Sequence, residues 1–507
     1  MSATWRYDRP EAIAINLRPS LSVAVVIACR GGQDKLDLVL ASLKAQSYPS
    51  RLINVYIVDD GSTPALKLPA IRPTKSKILK FKNAQDLWGK TDATNHVISK
   101  LKEDVVWCMD ADMVMHPDHL AHMMKWHHES DDYLVLGWKR FVPDWNYNPK
   151  ELSQALSDGK FHELHQESEG KEGWETLITG TKDLRNPGLE SFRAVVGATF
   201  SISRKNWLAL GGYNPLFKTG EDTEIGWRVL MSGIRMVPER DAHSWHLGIS
   251  TVEQHMETVI QHNRPLFANY IPGLAYLRGH APLTWAVAEN QVIVDCRNMS
   301  FEAFKSMVNE FLSDRKGQAK FLLLGPWSEL PARYRVIEDP LKDVRAIYRY
   351  CMADARFAFE ILHGDEVLMI DDILEKMKVA SSPYIYFTEG NLDERIRFGA
   401  LRHKITKSKN GLEGFVDTKD QRTFLVFAPA LGRARRMPGK IYSNIEQQWG
   451  LEWVEISQFD FSKNLSLRTL FPLIFIALRS FAKVRRPKDL KNLIKRIIKV
   501  TRNSLSK

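Results

Sequence analysis

Short apolar runs alternate with helical patterns over the first quarter of the chain. Leu21–Ala28 (LSVAVVIA) is a continuous apolar run of strand length, followed by a turn at Cys29-Arg30-Gly31-Gly32. Leu36, Leu38, Leu40 and Leu43 then mark a helix ending near Pro49. Val55–Val58 reads as a second strand and leads into Asp59-Asp60-Gly61-Ser62. Lys77–Phe81 reads as a third strand, Thr94–Leu101 as a helix, and Val105–Met109 as a strand running into Asp110-Ala111-Asp112. Strands alternating with helices predict a parallel α/β sheet. Such sheets bind ligands beyond the carboxyl ends of their strands, which is where both acidic motifs fall.

Residues 141–190 are polar, with weak periodicity, and read as a long, partly helical insertion. Order returns at Phe192–Ser203, followed by Gly211-Gly212-Tyr213, Gly220-Glu221-Asp222-Thr223-Glu224, a helix through Trp227–Ser232, and His243-Ser244-Trp245-His246. A composition break near Ala281-Pro282 suggests a boundary. A second α/β unit starts at Val292–Asp295, with a helix at Phe301–Leu312 and strands at Lys320–Leu324, Glu366–Ile370, Tyr384–Phe387 and Thr423–Phe427. It shares a rough order with the first unit: strand, helix, strand, and an acidic turn (Asp371-Asp372) after an apolar strand. No short-period repeat appears. The expected division is 1–285, 286–460 and a tail, 461–507.

The charge changes the picture of the tail. The net charge is +11, yet residues 461–507 hold thirteen Lys and Arg against one acid, Asp489, leaving the rest of the chain nearly neutral. Leu490, Leu493, Ile494, Ile497 and Ile498 line one helical face and Lys491, Lys495, Arg496, Lys499 and Arg502 take up the remainder. That pattern predicts a basic amphipathic helix on an anionic membrane surface. No aromatic or groove-reading pattern accompanies the charge, so nucleic acid is not an expected partner. The 507 residues suit two or more domains, and 44% hydrophobic with 26% charged residues excludes a disordered or fibrous chain. Cys29, Cys108, Cys296 and Cys351 lie far apart, which predicts neither a disulfide scaffold nor a zinc cluster and fits a reducing compartment. The N-terminus shows no secretory h-region and no apolar run is long enough to span a bilayer.

Two carboxylates flanking one residue at a strand end, Asp110-x-Asp112, suit a hard divalent cation with open positions for phosphate. Alone the motif is no more than an Asp-rich turn. With Asp59-Asp60 upstream, and Glu221-Asp222 and His246 downstream, the ordered set resembles family-two inverting glycosyltransferases of the GT-A fold. The segments that carry the resemblance are VVIACRGGQDKLDLVLASLKAQSYP, YIVDDGS, VVWCMDADM and TGEDTEIGWRVLMSG followed by HSWH. They cover residues 20–250, and GEDTEIGWR is particularly similar to chondroitin-polymerase-type and polypeptide N-acetylgalactosaminyltransferase-like enzymes. The first turn departs from the family pattern, with Ala-Cys-Arg-Gly in place of Pro-Thr/Ala-Tyr-Asn.

The resemblance implies the roles that follow. Ala28, Cys29 and Arg30 line the base and ribose, Asp60 contacts a uracil, and Asp59 supports the turn. Asp110 faces the ribose or donor sugar and shares the metal site, where Asp112 and His246 bind Mn²⁺ or Mg²⁺. Lys90 touches phosphate, Asp222 is the catalytic base, and Glu221 holds the acceptor. The implied protein is a Rossmann-like nucleotide-diphospho-sugar transferase domain, joined to a second, smaller α/β domain that is a degenerate GT-A-like unit, and a basic helical tail. The implied activity is metal-dependent, inverting transfer from a nucleotide-sugar, a UDP-sugar, to a hydroxyl of a glycan or lipid-linked saccharide in cell-surface polysaccharide synthesis. The expected location is cytoplasmic, at the inner face of the cell membrane. Two alternatives stand beside it: a bifunctional polymerase with both α/β units active, and a non-catalytic glycan-binding scaffold. His116, His119 and His122 lie three apart and admit a zinc site, against the reading that they sit on the helix after Pro117.

Overall fold

The computed structural model describes residues 8–456, except 17, 82–88, 143–144, 166–172, 249–250, 280–282, 314–317, 365, 378–380, 391–397 and 418–419. The amphipathic tail and the break at Ala281-Pro282 therefore lie outside the described residues.

The first sheet grows from the apolar runs. β1 (Val23–Cys29) is buried at every position. Gly31 and Gly32 turn the chain at φ +73° and +65°, a region open to glycine, and release it into α1 (Gln33–Lys44). β2 (Ile53–Asp59), β3 (Ser76–Lys80), α2 (Lys90–Ile98), β4 (Val105–Met109), β5 (Met113–Met115), α3 (His119–Glu129) and β6 (Tyr133–Val142) follow. The 141–190 region holds α4 (Pro149–Ser157), which starts with a reciprocal Asn148–Glu151 capping box, and α5 (Gly173–Gly180). Then come β7 (Thr199–Ser203), α6 (Arg204–Leu210), α7 (Glu221–Met231) and β8 (Arg235–Leu247).

These strands form one sheet in the order β3-β2-β1-β4-β7-β6-β8-β5. β3, β2, β1 and β4 are mutually parallel, whereas β7 runs antiparallel to both β4 and β6. A bulge between Leu136 and Trp138 re-registers β6 on β8. One face packs Leu36, Leu40 and Met123 of α1 and α3; the other packs Val97, Trp207 and Trp227 of α2, α6 and α7.

A second, seven-stranded sheet is built from β9 (Asn290–Asp295), β10 (Ala319–Gly325), β11 (Phe357–Ile361), β12 (Tyr384–Glu389), β13 (Leu412–Val416), β14 (Arg422–Phe427) and β15 (Leu451–Glu455). Two expectations are corrected here. Residues 366–369 form no strand, and Asp371 and Asp372 open a helix, Ile370–Lys376, so they are no strand-end turn. Asp372 Oδ2 accepts the Met369 N–H at 3.1 Å and Asp371 Oδ1 the Tyr442 N–H at 2.9 Å, the work of helix-start acids. The helix expected from Trp227 begins earlier, at Glu221.

Candidate active site

The acidic motifs meet where the strands of the first sheet end. The carboxyl end of β1 lies beside that of β2, with Cys29 opposite Asp59, and beside β4, with Ile27 opposite Met109. Asp59 is buried and its Oδ1 accepts the Ser62 N–H at 2.8 Å, closing the Asp59-Asp60-Gly61-Ser62 turn. Asp60 is also buried, and its Oδ2 takes the Gly89 N–H at 2.6 Å, one residue before α2 begins. Ser62 Oγ in turn accepts the Gly31 N–H at 2.9 Å, so the two turns brace each other. Ala28 and Cys29 are buried in this corner, and Arg30 is exposed on the turn. Burial, followed by the charges of Asp59 and Asp112, pushes the Cys29 thiol up to about 12, so it stays a thiol.

Lys90, the first residue of α2, joins two acidic motifs. Its Nζ lies 2.9 Å from Asp110 Oδ1 and 2.9 Å from Glu221 Oε1. Burial works against its charge, but Asp110 and Glu221 outweigh burial and hold Lys90 well above the usual lysine range. Burial pushes the Glu221 carboxyl up; Lys90 opposes the shift and Asp222 adds to it. Asp222, in the first turn of α7, accepts the Gly197 N–H on Oδ2 at 2.9 Å and the Thr223 N–H on Oδ1 at 2.6 Å. Gly197 lies between the two motifs: a Cβ there would stand 3.4 Å from Asp222 Oδ2 and 3.6 Å from Lys90 Nζ, in ordinary contact with both.

Asp112 lies beyond β4, and its Oδ1 is 3.5 Å from His246 Nε2 near the end of β8. Single donor atoms of Asp110, Asp112 and His246 all lie within 4.8 Å of one another. Burial lowers the His246 pKa against the pull of Asp112, favouring the neutral imidazole that ligates metals. Its buried Nδ1 has no hydrogen-bond partner among the described residues. Two carboxylates and a neutral imidazole suit a divalent cation. Lys35 of α1, which the sequence reading passed over, reaches Asp112 Oδ2 at 3.4 Å and the Leu247 carbonyl at 2.6 Å. Neither it nor the Gly197 N–H carries a motif; both are visible only once the strands are assembled.

Among the described residues, His116, His119 and His122 do not gather around one metal position. His119 starts α3 and is fully buried. Its Nδ1–H donates to the His243 carbonyl at 2.9 Å, and its Nε2 accepts from the Thr199 hydroxyl at 3.2 Å. Both ring nitrogens are therefore committed. His122 instead neighbours Glu239 and Asp241, but both Glu239 oxygens are engaged: Oε2 by Lys125 at 3.0 Å and the Trp126 N–H at 2.6 Å, and Oε1 by the Asp241 N–H at 3.1 Å.

Residues 24–188 match the family model described as glycosyl transferase family 2. The matched segment is thus a glycosyl transferase family 2 segment, and the mixed α/β sheet that contains it has the order expected of the GT-A fold. The poly-beta-1,6-N-acetyl-D-glucosamine synthase of Staphylococcus aureus strain MSSA476 is 23% identical over 243 residues, covering 48% of this chain and 54% of that protein. The strain COL protein is 22% identical over the same length. The chain thus spans about half the length of the curated relatives it matches. Among solved structures, GalNAc-T7 with UDP, GalNAc and Mn²⁺ aligns at 16% identity and TM-score 0.36 over 52% of this chain and 51% of that one. The mannosyltransferase PcManGT from Pyrobaculum calidifontis, in complex with GDP-Man and Mn²⁺, aligns at 17% identity and TM-score 0.34 over 54% of this chain and 74% of that one. All four cysteines are free and buried. Among the described residues, no helix is long and apolar enough to cross a membrane.

Proposed function

We propose that the protein is a metal-dependent, inverting glycosyltransferase. It moves a sugar from a nucleotide-sugar, a UDP-sugar, to a hydroxyl of a glycan or lipid-linked saccharide in cell-surface polysaccharide synthesis. The observation that carries this reading is the convergence of Asp110, Lys90, Glu221 and Asp222 at one strand-end corner, with Asp112 and His246 beside them. Asp110, Asp112 and His246 would hold Mn²⁺ or Mg²⁺, which when bound offsets the charge of a leaving diphosphate.

The chain's own groups do the rest. Backbone N–H groups of Gly197 and Thr223 orient the Asp222 carboxylate from both oxygens; Oδ1 also accepts the Thr223 hydroxyl at 3.3 Å, so Oδ2 is the oxygen that keeps a lone pair for the acceptor hydroxyl. Asp222 takes the hydroxyl proton as the new bond forms at the anomeric carbon and the bond to the diphosphate oxygen breaks on the opposite face. Glu221 holds the acceptor, and the Phe192–Ala198 segment shapes its side of the site. Ala28, Cys29, Arg30 and Asp60 bind the nucleoside, with Asp59 supporting the turn and Lys90 near the phosphates. The basic tail holds the enzyme at the inner face of the cell membrane.

Asp222→Asn tests the reading. Removing a positioned base should lower turnover by about 10²- to 10⁴-fold. The thermal stabilisation given by Mn²⁺ with the true donor nucleotide, chosen from a nucleotide-sugar panel, should persist. Equal, negligible turnover in wild type and variant would favour a glycan-binding scaffold. Deleting residues 461–507 should abolish flotation with anionic liposomes; unchanged flotation removes the membrane role of the tail.

A further inference from the structure

The second sheet repeats the first strand for strand. Its order, β11-β10-β9-β12-β14-β13-β15, matches β3-β2-β1-β4-β7-β6-β8, with β5 as the one addition in the first. Every neighbour direction agrees: three parallel pairs, two antiparallel pairs, then a parallel pair. The registers agree as well. Val55 pairs with Ser76 as Phe321 pairs with Phe357, and Met109 with Thr199 as Thr388 with Thr423. The Phe81 N–H donates to the Asp59 carbonyl as the Leu362 N–H donates to the Gly325 carbonyl, each at 2.9 Å. Chance similarity of fold class does not require a common register. Laid on this register, Val26-Ile27-Ala28-Cys29-Arg30 falls on Ile293-Val294-Asp295-Cys296-Arg297, so a Cys-Arg pair leaves the central strand at the same point twice.

The register also shows what differs. Gly325 and Pro326 stand where the first domain has Asp59 and Asp60. Glu389 stands at the position of Asp110, and Arg422 at that of Ala198. The Arg422 Nε and Nη2 bind the Glu389 carboxylate at 2.8 and 3.2 Å, and Nη2 also donates to the Leu368 carbonyl at 2.9 Å. Asp295, at the position of Ala28, is held by Arg297 through contacts of 3.0, 3.2 and 2.7 Å. Arg297 is anchored further on the carbonyls of His363 and Glu366 at 2.9 and 2.6 Å. A bidentate guanidinium uses the carboxylate oxygens that a cation would need. A permanently charged arginine is also not displaced by deprotonation.

We propose that the second domain is an internal duplicate of the N-terminal transferase unit in which fixed guanidinium groups neutralise the strand-end carboxylates, so that the chain carries one metal–nucleotide site and not two. This rests on reading Asp110, Asp112 and His246 as the cation site. It takes the expectation of a degenerate unit to a named cause, and it opposes the two-site polymerase.

The test is the stoichiometry of Mn²⁺ taken up with UDP, and in parallel with GDP, by the full-length chain in equilibrium dialysis. One nucleotide-dependent Mn²⁺ per chain is expected in wild type, one in Glu389→Gln, and none in Asp112→Asn, with thermal melting confirming that each variant is folded. Two per chain in wild type overturns the proposal, as does one that survives Asp112→Asn. No uptake by wild type also overturns the proposal, but by a different failure: it removes the cation reading of the first site on which the count of one rests.

Discussion

Lys90 places a cation among acids that would otherwise repel one another. Its Nζ is within hydrogen-bond reach of both Asp110 and Glu221, and Asp222 lies just across Gly197. Removing one partner of a buried pair leaves charge uncompensated, a cost of about 3–5 kcal/mol. Lys90→Met should therefore destabilise strongly at pH 8. The sign of its pH dependence follows from Glu221. That carboxyl is raised in the folded state, so its contribution to stability is present at low pH and lost as pH rises through the folded value. Without the ammonium the shift grows, and a proton replaces it. The deficit of Lys90→Met should shrink at pH 5 and be largely relieved by adding Glu221→Gln, as read from urea unfolding at both pH values. A deficit independent of pH and of Glu221 would sink this account. The acids of this corner were legible in the sequence because each follows a strand or opens a helix with a recognisable spacing. The positive and backbone partners, Lys35 and the Gly197 N–H, were not, because their roles arise from strands far apart in the chain.

At the scale of the element, α3 is instructive. His119 and His127 both face the sheet and are buried. His119 stacks on Trp107 with ring centroids 5.2 Å apart and shares the Thr199 hydroxyl with the Trp107 N–H, which tethers α3 to β4, β7 and β8. Position 137 stays glycine because a Cβ there would lie 2.8 Å from the His119 ring and 2.7 Å from Thr199. His127 Nε2 is 2.8 Å from Ser201 Oγ. Burial lowers both imidazoles to about 3. The unfolded chain binds protons near pH 6.5 that the folded chain refuses, so stability is lost as pH falls from 6.5 towards 3. At pH 5 each histidine should cost about 2 kcal/mol. His127→Gln keeps a polar partner for Ser201 and should remove about half of the joint acid sensitivity between pH 7.5 and 5 in urea titrations; an unchanged pH slope would count against it. The same helix shows what periodicity reveals: a helix after Pro117 was expected, whereas β6 and β8 were not read as strands. Their interruptions, Gly137 with its bulge and the polar stretch Glu239-Arg240-Asp241, hide the alternation that would have marked them. β11, β13 and β15 escaped for a related reason. Each carries a glutamate within its five residues, which breaks the apolar run that would have marked it.

The whole molecule joins its two sheets through the helix that carries the proposed base. A continuous apolar cluster runs from Trp227 and Met231 to Ile385, Phe387 and Leu431. The Trp227 Nε1 donates to the Ser381 carbonyl at 2.8 Å, and Asp132 receives Arg433 at 2.8 Å and Arg436 at 2.9 Å. Just beyond the C-terminal end of α7, Gly233 lies so close to the helix Ala428–Ala434 that a Cβ on it would stand 2.1 Å from the Arg433 nitrogen, and one on Gly432 would meet the Ser232 backbone at 2.5 Å. No side chain fits in either place, so the close approach of the two backbones is built into the sequence. Asp222 sits at the other end of the same eleven-residue helix, about 15 Å away along its axis. A tilt of α7 imposed at Gly432 would thus be felt where the acceptor hydroxyl must be held to within a fraction of an ångström. Because misplacement by about 1 Å can cost about 100-fold in rate, Gly432→Val should lower kcat about ten-fold or more. The proposed cation triad is drawn from β8 and the loop after β4 rather than from α7, so uptake of Mn²⁺ with nucleotide should change little. A second measurement separates tilt from unfolding: Asp132→Asn, which weakens the same interface without a steric clash, should lower kcat in the same direction but less. If Gly432→Val leaves kcat intact, or reduces metal uptake as much as turnover, the second domain does not act on the site through α7.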